Sequence, residues 1–199
     1  MGAEARPSDG EPVAAAATPL KGEIIRVETD LLRVQINTAG GTIERVELKD
    51  VTISKDKPDV NLNLLDNRLP NFFVTQSGLV ASGGRAPTHH DIYRAQQKNV
   101  ALADGANTVE VRMDWQGGEG LQVTKVFIFH RDSYEIDLRH EVQAGPNAGD
   151  LKISPYVRLW RTPFTEASGP PFVPVFMGLA LYEQKETGSE EYRYEKIAF

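Results

Sequence analysis

The chain has 199 residues, 40% of them hydrophobic and 25% charged, with a formal net charge of −6 and an isoelectric point near 5.3. That length suits one globular domain, able to bury roughly 70% of its unfolded surface without a metal or disulfide. The acidic balance excludes a nucleic-acid partner, which needs a basic surface to displace counterions, and disfavours docking on anionic lipid. The chain contains no cysteine, so disulfides, thiol nucleophiles and thiolate metal sites are excluded and the compartment stays open.

Met1 to Leu20 is rich in Ala, Pro, Gly and acidic residues, without apolar period. Residues 1–21 are therefore expected to be a flexible leader or linker. The longest apolar run there, Val13 to Ala17, has five residues. A signal-peptide core needs about 7–15 and a membrane helix about 20.

From Gly22 onward the pattern is strands. Ile25 and Val27 begin it, and Leu32, Val34 and Ile36 share one face while Arg33, Gln35 and Asn37 take the other. Gly40-Gly41 supplies positive φ for a tight turn. Val46 and Leu48 resume an inward face, but Ile43 is out of phase with them, which predicts a bulge. Thr75 to Ala95 carries Gly, Ser and Pro and reads as containing a long loop.

The theme then repeats. Val109, Val111, Met113 and Trp115 alternate with polar residues, GGEG (Gly117 to Gly120) turns the chain, and Leu121, Val123, Phe127 and Phe129 return, with Val126 and Ile128 on the second face. After HRDS comes a strand through Tyr134, Ile136, Leu138 and Val142, then the turn AGPNAGD (Ala144 to Asp150), then Leu151, Ile153, Val157 and Leu159. Turn signals at this spacing, with no helical period, indicate an all-β antiparallel sandwich. Thr162 to Pro174 is Pro-rich and cannot be a central strand throughout.

Candidate chemistry is sparse. His89, His90 and Asp91 could ligate zinc or serve acid-base work, but neighbouring side chains of an extended segment point apart and no further ligand is identifiable; a solvated loop is the reading adopted. His140 is in phase with Ile136, Leu138 and Val142 and reads as a partly buried, hydrogen-bonded structural histidine; His130 lies at a turn. Glu190-Glu191 looks like a glycosidase pair only superficially, and no phosphate-binding loop or GxSxG elbow occurs. No catalytic, cofactor or metal residue is assigned. Phe172, Phe176, Tyr182, Tyr192 and Tyr194 cluster near the C-terminus with Pro170, Pro171 and Pro174. They could form the core of the last strands or a partner surface.

Four stretches in order carry a family resemblance: TDLLRVQINTAGGTIERVEL (Thr29 to Leu48), NLLDNRLPNFFVTQSGL (Asn63 to Leu79), TKVFIFHRDSYEIDLRHEVQ (Thr124 to Gln143) and GLALYEQKETGSEEYRYEKIAF (Gly178 to Phe199). Together they resemble the periplasmic domain of the Gram-negative YidC membrane-protein insertase family, over about Gly22 to Phe199. The resemblance implies a twisted antiparallel β-supersandwich like that of galactose mutarotases, on the periplasmic side of the inner membrane and attached to it only through parts outside this chain. It implies a non-catalytic domain that supports insertion and folding of nascent inner-membrane proteins and docks to SecDF or the Sec translocon. The SecDF-contacting portion would fall in Val173 to Phe199, with Val173, Phe176, Tyr182, Glu190, Glu191, Tyr192 and Tyr194 as partner-binding candidates. The family domain continues past the YEK segment, so a domain truncated at its C-terminus, with exposed sheet edges and a tendency to associate, is expected. A mutarotase-like sugar-binding or epimerising domain is the alternative; it would need His89 or His90 paired with a Glu.

Overall fold

The computed structural model describes residues 21–82, 84–145, 151–162, 178–186 and 188–198. The leader 1–20, most of the Pro-rich stretch (163–177, with Val173 and Phe176) and much of the AGPNAGD turn lie outside them.

Among the described residues thirteen strands follow in chain order: β1 (Ile24–Glu28), β2 (Leu32–Asn37), β3 (Thr42–Ser54), β4 (Lys57–Asp66), β5 (Phe73–Ser82), β6 (Arg94–Ala95), β7 (Asn99–Ala101), β8 (Thr108–Gln116), β9 (Gln122–His130), β10 (Ile136–Gln143), β11 (Lys152–Arg161), β12 (Gly178–Gln184) and β13 (Tyr192–Ala198). A single 3-10 turn, Gly118–Gly120, is the one helical element among the described residues. A seven-stranded sheet runs β11-β5-β4-β3-β2-β1-β7, a four-stranded sheet runs β10-β9-β8-β6, and β12 pairs with β13. All ladders are antiparallel except β1 with β7.

Period-2 alternation builds the interior. Ile25, Val27, Leu32, Val34 and Ile36 of the large sheet and Val111, Met113, Trp115, Val123, Phe127 and Phe129 of the small one join one buried cluster. Full burial of each such side chain contributes about 1.5–3 kcal/mol, which is what holds the two sheets face to face. Gly40 and Gly41 sit at φ 74° and 60°, as the hairpin between β2 and β3 requires. The predicted bulge is present: Gln35 pairs with Arg45 but Ile36 with Ile43, so Glu44 is the extra residue and Ile43 regains the inner face.

The long loop expected within Thr75 to Ala95 lies between β5 and β6, while Thr75 to Ser82 belongs to β5. Its Gly78 is a packing glycine: a Cβ there would lie 2.6 Å from the Tyr156 hydroxyl on β11. β10 starts at Ile136, leaving Tyr134 before it and half-exposed, and Val142 is 40% exposed because it lies toward the end of an edge strand. β11 crosses to the large sheet and pairs with β5 along its whole length, Lys152 with Ser82 through Arg161 with Phe73.

Candidate functional site

Three polar or aromatic features stand out on this scaffold. The first lies inside it. Lys125 on β9 is in phase with Val123, Phe127 and Phe129 and is fully buried. Its Nζ donates to the Gly40 carbonyl at 2.7 Å, the Ser77 carbonyl at 2.8 Å and Ser77 Oγ at 3.1 Å, so its three protons meet three acceptors. It lies 4.7 Å from the centre of the Tyr93 ring. Gly41 leaves it room, since a Cβ there would come 2.8 Å from Lys125 Cδ. Burial lowers its pKa to about 7. Burial also raises the pKa of Tyr93, whose hydroxyl has no hydrogen-bond partner among the described residues.

His140 is the cross-strand neighbour of Lys125. Burial first, then the Lys125 charge, lowers its pKa to about 4, and its Nε2 has no hydrogen-bond partner among the described residues. The half-buried placement expected of it is present; a hydrogen bond from Nε2 is not. His130 shares a 2.8 Å contact with Asp137 across the β9–β10 turn.

The second feature is the His89 segment, and it is not a solvated loop. Asp91 is buried, accepting from the Thr88 backbone N–H at 2.8 Å, from Thr88 Oγ1 at 3.0 Å and from Arg85. The His89 backbone N–H donates to the Tyr156 hydroxyl at 3.1 Å, and that hydroxyl also meets His89 Nδ1 at 2.6 Å. The His89 and His90 rings lie together, centroids 3.9 Å apart, rather than on opposite sides, because the chain turns here instead of extending. Hydrogen bonds from Gly40 N–H to the Asp91 carbonyl and from Tyr93 N–H to the Thr38 carbonyl tie this turn to the β2–β3 hairpin. Its polar groups hold the loop against the sheets. No cluster of three or more His, Cys, Asp or Glu able to hold a metal occurs among the described residues. The tryptophans make no joint sugar platform: Trp115 is buried, and Trp160 packs edge-on against Phe72 at 5.0 Å.

The third feature is the β12–β13 hairpin. Its register sets Gln184 opposite Tyr192 and Tyr182 opposite Tyr194 on one face. The three tyrosine rings form a continuous ladder, with centroids 5.0 Å apart for Tyr182–Tyr192 and 4.7 Å for Tyr182–Tyr194. They are exposed by 61% (Tyr182), 47% (Tyr192) and 72% (Tyr194), which overturns a core role for them. The other face carries Glu183 opposite Arg193, paired at 2.8 Å. Glu191 meets Lys185 at 2.6 Å, and Glu190 is exposed in the turn. So of the partner-binding candidates the structure gathers Tyr182, Tyr192 and Tyr194, and sets Glu190 and Glu191 apart at the tip.

The described residues thus form an all-β sandwich with an apolar interior holding one buried lysine, a hydrogen-bonded histidine turn and an exposed aromatic hairpin. Comparison with known families is specific: residues 24–199 match the YidC periplasmic domain, and the chain belongs to that family. It is 35% identical over 202 residues to the membrane protein insertase YidC of Nitrosomonas europaea, covering 100% of this chain and 31% of that protein. It is 33% identical to those of Methylococcus capsulatus (98% of this chain, 35% of that protein) and Methylobacillus flagellatus (89% and 30%). The chain thus spans about a third of the length of these relatives. Its family places it on the periplasmic side of the inner membrane.

Proposed function

We propose that this domain serves a membrane-protein insertase as a non-catalytic periplasmic docking module, supporting insertion and folding of inner-membrane proteins and contacting SecDF or the Sec translocon through the β12–β13 hairpin. The observation that carries the docking role is the exposed ladder of Tyr182, Tyr192 and Tyr194, since tyrosines that lie in solvent in one row are the aromatic composition of a protein contact. The match to insertases supports the wider role. Membership of the family, rather than the fold, links the domain to membrane-protein substrates.

The test uses the full-length insertase carrying Tyr182→Ala, Tyr192→Ala and Tyr194→Ala together. Co-purification of SecDF is expected to fall about tenfold or more, as loss of a central aromatic cluster does at other interfaces. Wild-type recovery of SecDF would remove the hairpin from the interface. Charge reversal at Glu190 and Glu191 is expected to have a smaller effect, because rim charges alter association rate more than affinity.

A further inference from the structure

The outer face of the seven-stranded sheet carries a charged groove. The groove, of about 360 Å³, runs across β7, β1, β2 and β3, lined by three arginines (Arg26, Arg33, Arg45) against two glutamates (Glu28, Glu47). In a chain of net charge −6 this is a locally cationic trough. Strand register explains how it forms. Asn99, Arg26, Gln35 and Arg45 make one cross-strand row, and Ala101, Glu28, Arg33 and Glu47 make the next.

The carboxylates of the second row are already satisfied. Glu47 Oε1 accepts from Arg33 at 2.7 Å and from Asn61 at 3.0 Å, and these bonds, Asn61 first, lower its pKa. Glu28 sits 3.3 Å from Lys49 and 3.5 Å from Arg33. Nothing in the first row balances Arg26. It is exposed, and its guanidinium has no ion-pair or hydrogen-bond partner among the described residues. Arg45 is held from the far side, its Nε donating to Asn63 at 3.0 Å, while its nearest carboxylate, Glu47, is 3.8 Å away. Two positions flanking Gln35 in one row lie about 10 Å apart, twice the strand spacing, which long side chains span between them. The row's one carboxylate, Asp66 opposite Arg45, lies at its far end and accepts from Arg68, so toward Arg26 and Gln35 the guanidinium donors outnumber the acceptors. A tetrahedral oxyanion supplies what is missing, and guanidinium groups match its geometry.

We propose that this groove binds a phosphate ester, its oxyanion held between Arg26 and Arg45 over Gln35, with the rest of the ligand lying along the trough. The site is separate from the tyrosine hairpin and stands whether or not the hairpin docks a partner. On the periplasmic side of a membrane the ester could come from a phospholipid headgroup or from a soluble molecule, and the test separates the two.

The 199-residue chain, isotopically labelled, is titrated with sn-glycerol 3-phosphate while backbone amides are followed by NMR. In parallel it is sedimented with phosphatidylglycerol–phosphatidylcholine vesicles and with phosphatidylcholine vesicles. Saturable shifts at Arg26, Gln35 and Asn99 are expected, weakened about tenfold in Arg26→Gln, the cost of one charge-assisted contact. They should be unchanged in Lys185→Gln, a charge removal on the hairpin. Arg26 is exposed, so the variant is expected to keep the wild-type melting temperature. Sedimentation with the anionic vesicles that Arg26→Gln abolishes assigns the site to a headgroup; binding of the free ester without sedimentation assigns it to a soluble ligand. Absence of both saturable shifts and Arg26-dependent sedimentation overturns the proposal, as does equal weakening by Lys185→Gln.

Discussion

The sandwich around Lys125 and the β12–β13 hairpin solve opposite problems with similar materials. In the sandwich a charge is taken out of water and every proton of it is met by a fixed acceptor; in the hairpin, aromatic rings that could have been buried are left in water. The difference shows where each region's specificity comes from. A fully satisfied buried cation constrains the backbone around it, because moving any acceptor strands the charge. An exposed aromatic row constrains little in its own fold and is free to be used by something else.

The comparison breaks most visibly at Lys125. Lys125→Ala is expected to cost about 3–5 kcal/mol in chemical denaturation, from a cavity plus orphaned acceptors at Gly40 and Ser77. A cost below about 1 kcal/mol would mean that the cation is not what holds this region. Next is Gly40→Ala. A Cβ there overlaps the His89 carbonyl, and φ is 74°, so a loss of about 2 kcal/mol or more is expected.

The buried lysine also sets a pH dependence. Its folded pKa, about 7, lies below its ordinary value of 10.5, so between those values the unfolded chain binds more protons than the folded one. Stability should therefore be greatest above pH 10.5 and fall as pH drops toward 7, by about 1.4 kcal/mol per unit from this group alone. Lys125→Met should remove that slope, measured by urea midpoints across pH 7 to 10. His140 sharpens the same point. Its folded pKa of about 4 lies below 6.5, so its contribution is retained above 6.5 and lost as pH falls toward 4, and its NMR titration midpoint should lie near 4. The smallest effect is expected at the hairpin: Tyr182→Ala should change global stability by under about 1 kcal/mol while weakening partner contact.

Much of the sandwich could be read from the sequence because period-2 alternation reports which face each residue takes. That reading reached Ile25 to Ile36, the Gly40-Gly41 turn, the bulge before Val46, and β8 to β10. It did not reach which strands pair: nothing in Ile153 to Leu159 points to Ser77 more than 70 positions earlier. Nor does it show that Gly78 is needed where the Tyr156 side chain crosses β5. Lys125 had a signal that went unused, a basic residue in the inward phase of Val123, Phe127 and Phe129. The tyrosine row was visible as a cluster, but only register shows that Tyr182, Tyr192 and Tyr194 share one face. The arginine trough was invisible because its residues come from four strands and each looks like an ordinary outward position.

The three acceptors of Lys125 come from the β2–β3 hairpin and from β5, while the lysine itself comes from the other sheet. During folding, the two sheets can collapse on each other by apolar contact in many relative positions. Only one of them delivers all three acceptors to the ammonium group. A slip of one residue in β9 would turn Lys125 to the opposite face and leave those carbonyls facing hydrocarbon. The lysine thus works as an alignment pin: it adds little to the attraction between the sheets, but it penalises every arrangement except the native one.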